Sequence, residues 1–441
     1  MWGMYGPPPH ADQAFAPTGL WSAWPAWWAC ASIGVALMLI ARPKKPLLFA
    51  LGGTILLTAP AAIFAPTYVW GAFPTIDKAG SLLFYRDGVH WRVLDPTDPA
   101  VKLIGVHLGH LWVTAGLDLV LRDFAAFNVQ HLLHLVLAWA IAARLIEALC
   151  GRRDVAVLFA APFALNLHQL RDINWYTVEK TAVFWIPAYG WALWAAARHG
   201  GRWVWAAAAV LAGACAYNLY IALLCCGIGA LALLVPSPAL RRAVLASAVA
   251  ALPFAAYQAG LQRGPGALAS PDAFQARAAL DVVELWPPKW NRLEAWRALD
   301  LVALVAAARG ATDLLRGRAV GVGGRALEAW LFLVALGFGV LSLGPANNPV
   351  YAALNVLVPG FWRMAKPEAF FHVTWLALLI IAARAVTRRG ASPRALRRMG
   401  AAMALLFLLA ARTHPVWPRF TLPVDVTLAK GWQDDVLRGK R

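Results

Sequence analysis

Phe124-Ala-Ala-Phe-Asn-Val-Gln-His-Leu-Leu-His-Leu-Val-Leu-Ala-Trp-Ala-Ile-Ala-Ala-Arg-Leu-Ile-Glu-Ala-Leu149 decides the fold class. The stretch is predominantly apolar and longer than the roughly 20 residues that a helix needs to cross the hydrocarbon core of a bilayer. Asn128, His131 and His134 interrupt it at i, i+3 and i+6 spacing, which places them on one helical face. Polar side chains at membrane depth are costly, so this face is expected to turn toward the interior of a helical bundle. There it either walls a substrate cavity, carries a proton path, or hydrogen-bonds neighbouring helices as packing glue.

Working outward, the same reading gives apolar stretches over 21–40, 47–65, 155–168, 181–197, 203–217, 220–235, 243–261, 298–315, 327–343, 370–386 and 399–411. The expectation is an all-α, polytopic transmembrane bundle of about 12 helices, within a range of about 10–13. The segment 155–168 is short for a span, and 298–315 carries Asp300, Arg309 and Asp313. The stretch 203–235 is either two helices with a tight break at Tyr217-Asn218 or one broken element.

Composition agrees. Of 441 residues, 61% are hydrophobic and 14% charged, against about 45–50% and roughly 25% in soluble domains. The 23 tryptophans suit the membrane–water interface, where the ring is buried and the N–H stays wet. A net charge of +18 raises nucleic acid as a partner, but the cations form no patch interleaved with aromatics, so that class is set aside. They fall instead in short groups after every second apolar stretch: 42–45, 152–153, 198–202, 241–242, 309–325 and 388–398. The positive-inside rule then puts these groups in the cytoplasm and both termini outside. The first twenty residues lack Lys and Arg, so the basic region of a signal peptide is missing. Cys30, Cys150, Cys215, Cys225 and Cys226 show no metal-ligand spacing, and neither disulfides nor zinc are expected.

The whole chain, 1–441, reads as one transmembrane domain with four external segments. The first loop, 66–123, contains the apolar but His- and Asp-bearing 101–121, expected as an amphipathic helix on the interface. The second, 262–297, is rich in Trp and Pro. The third, 344–369, has Pro and Asn breaks around 350–358 and is expected to be re-entrant, since irregular backbone at membrane depth survives only against protein or a cavity. Residues 412–441 form an external tail. No internal repeat is visible, which weighs against an inverted-repeat transporter.

Several segments carry a family resemblance through their shared order. They are Phe124 to Leu135, the Pro-containing Leu158-Phe-Ala-Ala-Pro-Phe-Ala-Leu-Asn-Leu-His168, the helix start Trp185-Ile-Pro-Ala188, and Arg202-Trp-Val-Trp205. Last come Leu343-Gly-Pro-Ala-Asn-Asn-Pro-Val-Tyr351 and Val358-Pro-Gly-Phe-Trp-Arg363. Together they resemble bacterial GT-C-type membrane glycosyltransferases, including the relatives described as YfhO-like. The resemblance covers roughly 47–386. It implies a GT-C-like fold in a bacterial inner membrane and a sugar donor anchored by polyprenyl phosphate. It also implies an acidic base in the first external loop, and a divalent metal in some relatives but not in others. The chain departs from that pattern in an additional N-terminal helix and in lacking an Asp-x-Asp or Asp-Glu pair in the loop.

Transfer of a sugar from a lipid phosphate needs a base for the acceptor and cations for the departing phosphate. Asp77 and Asp87 are the candidate bases, although either is equally a solvated loop acid, and Arg86 stands beside Asp87. Asp95-Pro-Thr-Asp98-Pro99 reads as a turn. Arg363 and Lys366 are the candidate phosphate cations, with Arg171 a third whose charge Asp172 offsets. Asn128, His131 and His134 complete the expected substrate-binding set. His107 and His110 share a face, but without a matched Cys or carboxylate they do not argue for a metal. Gly321-Val-Gly-Gly324 follows no strand and reads as linker rather than a phosphate loop, and there is no G-x-S-x-G nucleophile elbow. Three functions stay open: a glycosyltransferase using a lipid-linked donor at the external face, a lipid or sugar flippase, and an inactive accessory subunit on the same fold. Membrane lipids are the one partner common to all three.

Overall fold

The computed structural model describes residues 24–58, 68–70, 108–121, 125–165, 169, 181–261, 294–318, 324–344, 348–357, 361, 367–413 and 421–423. Their architecture is helical. In chain order the helices are α1 Trp24–Ala41, α2 Pro46–Thr58, α3 Leu108–Asp118, α4 Ala125–Cys150, α5 Arg153–Ala164, α6 Trp185–His199 and α7 Arg202–Tyr217. They continue as α8 Leu219–Ala232, α9 Pro238–Leu261, α10 Glu294–Leu315, α11 Gly324–Ser342, α12 Pro349–Leu357, α13 Phe371–Arg388 and α14 Pro393–Thr413. Two three-residue strands, β1 Tyr68–Trp70 and β2 Thr421–Pro423, pair antiparallel with Val69 opposite Leu422. This pairing joins the segment after α2 to the segment after α14.

Each apolar stretch of the sequence carries a helix, but length and apolarity qualify four of them to cross a membrane among the described residues. These lie at Asn128–Cys150, Pro238–Ala256, Gly324–Ser342 and Phe371–Arg388. Their burial differs with position. The span of α13 is 72% buried and that of α9 only 22%, so α13 is the axis of the bundle and α9 its rim. On α9, Leu245, Val249 and Leu252 are exposed at i, i+4 and i+7 spacing, and Leu333 and Leu336 are exposed on α11. Apolar stripes of this kind suit lipid contact, and with the composition they make this a helical membrane protein.

Local chemistry sets several boundaries that hydropathy misplaces. The helix expected over 181–197 begins at Trp185, because Pro187 lacks an N–H and fits in a first turn, where that donor has no helical partner. The Tyr217-Asn218 break separates two helices. Asn218 adopts an extended conformation and caps α8, its side chain accepting from the N–H groups of Tyr220 and Ile221. Within the third external segment, α12 starts with Pro349 in its first turn. Asn348 accepts from the Tyr351 N–H at 3.2 Å and donates to the Val340 carbonyl at 2.7 Å. Of the amphipathic segment 101–121, helix occupies 108–118. The second external loop lies outside the described residues as far as α10.

Glycines let helices touch backbone to backbone. A Cβ at Gly34 in α1 would stand 2.7 Å from the Gly52 carbonyl oxygen in α2, and a Cβ at Gly52 would stand 2.6 Å from that of Gly34. The α1–α2 hairpin therefore closes on this crossing. Gly310 does the same for α10, where a Cβ would lie 2.6 Å from Ile381 Cγ2 of α13.

The basic junctions gather at one end. Arg153 donates to the Lys44 carbonyl at 3.3 Å, joining the α4–α5 and α1–α2 turns. Arg152 donates to the Ala391 carbonyl at 2.9 Å, adding the α13–α14 turn. Arg389 reaches Asp313 at 3.2 Å, adding the end of α10. Beneath these contacts sits a buried ion pair, Arg384 Nε to Glu328 Oε1 at 3.0 Å. Arg384 also donates to the Leu149 carbonyl at 2.6 Å, and Arg388 shares the Glu328 carboxylate. The C-termini of α4 and α13 thus lie together. Further up, Trp139 of α4 donates to the Val157 carbonyl of α5, and Trp375 of α13 to the Pro162 carbonyl. The helices α4 and α13 therefore run parallel, with α5 antiparallel to both.

Candidate functional site

Away from the basic end, α3, α4, α7 and the turn before α6 enclose a buried polar network. Gly109 lets α3 settle on the end of α7, since a Cβ there would be 3.0 Å from the Tyr217 ring. From α3, Thr114 donates to Gln130 Oε1 of α4. Gln130 Nε2 donates to Tyr217 Oη at 2.9 Å. Tyr217 Oη lies 2.5 Å from His134 Nε2, and His134 Nδ1 lies 2.8 Å from Thr181 Oγ1. Thr181 Oγ1 is 3.4 Å from His131 Nδ1, and the Thr181 carbonyl accepts from Gln169. All of these side chains are buried.

The contacts link α3 to His131 through five successive hydrogen bonds, and the direction of those at His134 and His131 depends on the imidazole tautomers. The rings of Phe184 and Tyr217 each pack on His134 with centroids 5.6 Å away, and Trp185 packs on Tyr217 at 5.9 Å.

Two helices give the depth of this cluster. The 16 residues of α7 make it about 24 Å long, so Tyr217 stands that far from the basic end. His134 lies sixteen residues before Cys150, also about 24 Å. That distance is most of the roughly 30 Å thickness of a hydrocarbon core.

No family model, curated protein or solved structure matches the chain.

Of the residues singled out by sequence, Asn128, His131 and His134 are buried in α4, and the structure brings His131 and His134 together on Thr181. Asp77, Asp87, Arg171, Arg363, Lys366 and His107 lie outside the described residues, as does the His110 side chain. Their flanks are informative. The loop of Asp77 and Asp87 runs from the end of α2 to α3, both away from the basic end. The segment of Arg363 and Lys366 runs from Phe361 to Pro367. Phe361 packs on Tyr351 and Phe370, at 5.0 and 5.8 Å between centroids, and Phe370 packs on Phe338 at 5.9 Å. Phe370 precedes α13, whose start is at the end of that helix away from the basic junctions. Among the described residues, no group of three or more His, Cys, Asp or Glu side chains is arranged to hold a metal ion.

Sequence reading missed Gln130, Tyr217, Thr181, Thr114 and Gln169. One signal was available: Gln130 and His134 stand at i, i+4, and both reach the same phenol oxygen.

Proposed function

We propose that this protein is a GT-C-like membrane glycosyltransferase, moving a sugar from a polyprenyl-phosphate donor to an acceptor at the face opposite the basic junctions. By the positive-inside rule that face is external, in a bacterial inner membrane, with about 12 helices crossing and both termini outside. In this reading Asp77 or Asp87 takes the acceptor proton, and Arg363 with Lys366 holds the departing phosphate. Arg171 offers a further cation, and Asn128, His131 and His134 wall the substrate cavity. The observation that carries the reading is the parallel course of α4 and α13. It supports the reading because the flanks of both charged segments then lie away from the basic end. A divalent ion is compatible with this scheme and is not required by it.

The test is transfer by the purified protein in liposomes, supplied with labelled polyprenyl-phosphate sugars. The D77N/D87N double variant should abolish product, as should the single variant at whichever carboxylate is the base, and R363A should weaken donor use, all with normal expression. Full activity in the D77N/D87N double variant removes both residues from the mechanism. A wild type inert toward every lipid-linked sugar sinks the enzyme reading.

The buried hydrogen-bond chain through two imidazoles favours a second reading, proton-coupled movement of a lipid or sugar, in which the imidazoles relay the proton. Substrate crossing the liposome membrane without glycosylated product, and lost in H134F, would favour it.

A further inference from the structure

At the basic end, α10, α13 and α14 leave between them an open groove of about 430 Å³. Val302, Val305, Val386 and Met399 line its apolar length, and Arg309 and Arg389 also line it. The polarity runs along the helix axes. Arg309 lies six residues before the end of α10, and Val305 and Val302 one and two turns deeper. Arg389 closes α13 on the same side. The groove is therefore apolar toward the bilayer centre and cationic toward the surface.

The two arginines differ in commitment. Arg389 is bonded to Asp313, at 3.2 and 3.4 Å. Arg309 sits one turn from that carboxylate on the same helix, yet Asp313 is taken up by Arg388 and Arg389. Among the described residues no carboxylate pairs with Arg309, and its side chain is exposed. An uncommitted guanidinium at the head of an apolar groove calls for an amphiphile with an anionic head, since a fork of N–H donors matches phosphate oxygens.

We propose that this groove binds an anionic glycerophospholipid from the leaflet at the basic end. One acyl chain lies along Val305 and Val302, and the phosphodiester rests on Arg309 with Arg389 beside it. Basic pockets between membrane helices on the positive-inside face are suited to such headgroups. The site is at the other end of the bundle from the proposed transfer and does not depend on that reading.

The full chain, purified and reconstituted in phosphatidylcholine vesicles containing a minor fraction of phosphatidylglycerol, is the material for the test. Native mass spectrometry after detergent extraction counts the lipids that stay bound. The wild type should retain phosphatidylglycerol in preference to phosphatidylcholine. R309A should lose that preference about fivefold, the worth of one cation near the membrane surface, and R309K should keep most of it. Arg242, an exposed cation elsewhere at the basic end, serves as control, and R242A should match the wild type. Val305→Trp, at an exposed position, fills the groove without changing charge and should lower retention of phosphatidylglycerol. Equal retention of the two lipids by the wild type, or the same retention in R309A and R242A, overturns the proposal. Displacement of the lipid by inorganic phosphate alone also overturns it, because the apolar groove would then contribute nothing.

Discussion

Glu328 is the position where a single side chain should matter most to stability. It is fully buried, accepts Arg384 Nε at 3.0 Å and shares its carboxylate with Arg388. Replacing it with Leu leaves three guanidinium groups facing one remaining acid, Asp313. Arg388 has a fallback, with Asp313 at 3.7 Å, but Arg384 is only 3% exposed and keeps the Leu149 carbonyl. Removing one partner of a buried ion pair costs about 3–5 kcal/mol, because the other charge is left uncompensated. E328L is therefore expected to lose that much.

The reverse change is milder. In R384M, Glu328 still holds Arg388, so the loss should be smaller than in E328L. The E328L/R384M double variant removes the stranded charge and should recover to about the level of R384M. The coupling between the two positions is then as large as the E328L loss itself, about 3–5 kcal/mol. The assay is a titration with SDS in bicelles, following tertiary fluorescence for the four proteins of the cycle under one set of conditions. If E328L is no weaker than R384M, or the double variant is as weak as E328L alone, the reasoning that buried charge dominates this junction is wrong.

Other expectations follow from single contacts. Y217F removes the oxygen shared by Gln130 and His134, and should cost about 1 kcal/mol. Because Gln130 also ties down α3 through Thr114, amide exchange should quicken in α3 and stay slow in α13. N218A removes the cap of α8, at a cost of about 1 kcal/mol, and N218D should restore most of it; a melting series in detergent reads both. G52L puts a side chain into the Gly34 backbone and should open the α1–α2 hairpin, detected as lost disulfide cross-linking between cysteines placed on the two helices. Gly116 faces open space in α3, so G116A should leave stability unchanged and serves as the control.

Hydropathy made the helices legible because apolar stretches must become helices in lipid, where every backbone N–H and C=O needs a partner within its own segment. The turn chemistry was legible too: Asn218 after Tyr217, and Pro187 after Trp185, mark boundaries through what those residues do to the backbone. The partners inside the bundle were not. Nothing near His134 in the chain announces Tyr217, 83 residues away, nor does Arg384 announce Glu328 at 56. Arg388 and Arg389 read naturally as topology signals at a surface, yet Arg388 and Arg384 together hold a carboxylate in the core. A local pattern reports which side chains are costly in lipid, but only packing decides what they pair with.

The distribution of charge constrains any chemistry here more than the fold does. Each Asp, Glu, Lys and Arg whose side chain is described lies within about two helical turns of a basic junction. The other end, about 24 Å away, contains amides, hydroxyls and imidazoles joined into a hydrogen-bonded chain. Such a network can orient and relay, but it supplies no fixed charge to steady a departing phosphate. The proposed transfer therefore has to draw its anionic base and its cations from Asp77, Asp87, Arg363 and Lys366, with Arg171 a further source of positive charge. In the proposed scheme the network is their floor, and α3, which follows the first loop in the chain, links to it through Thr114. This gives the two kinds of variant different signatures. D77N should remove turnover while leaving donor binding intact. Y217F loosens the floor without removing a charge, so it should weaken donor binding and turnover together. If Y217F instead spares binding and abolishes turnover as D77N does, the buried network takes part in the proton transfer itself, and the relay reading gains at the expense of the loop carboxylates.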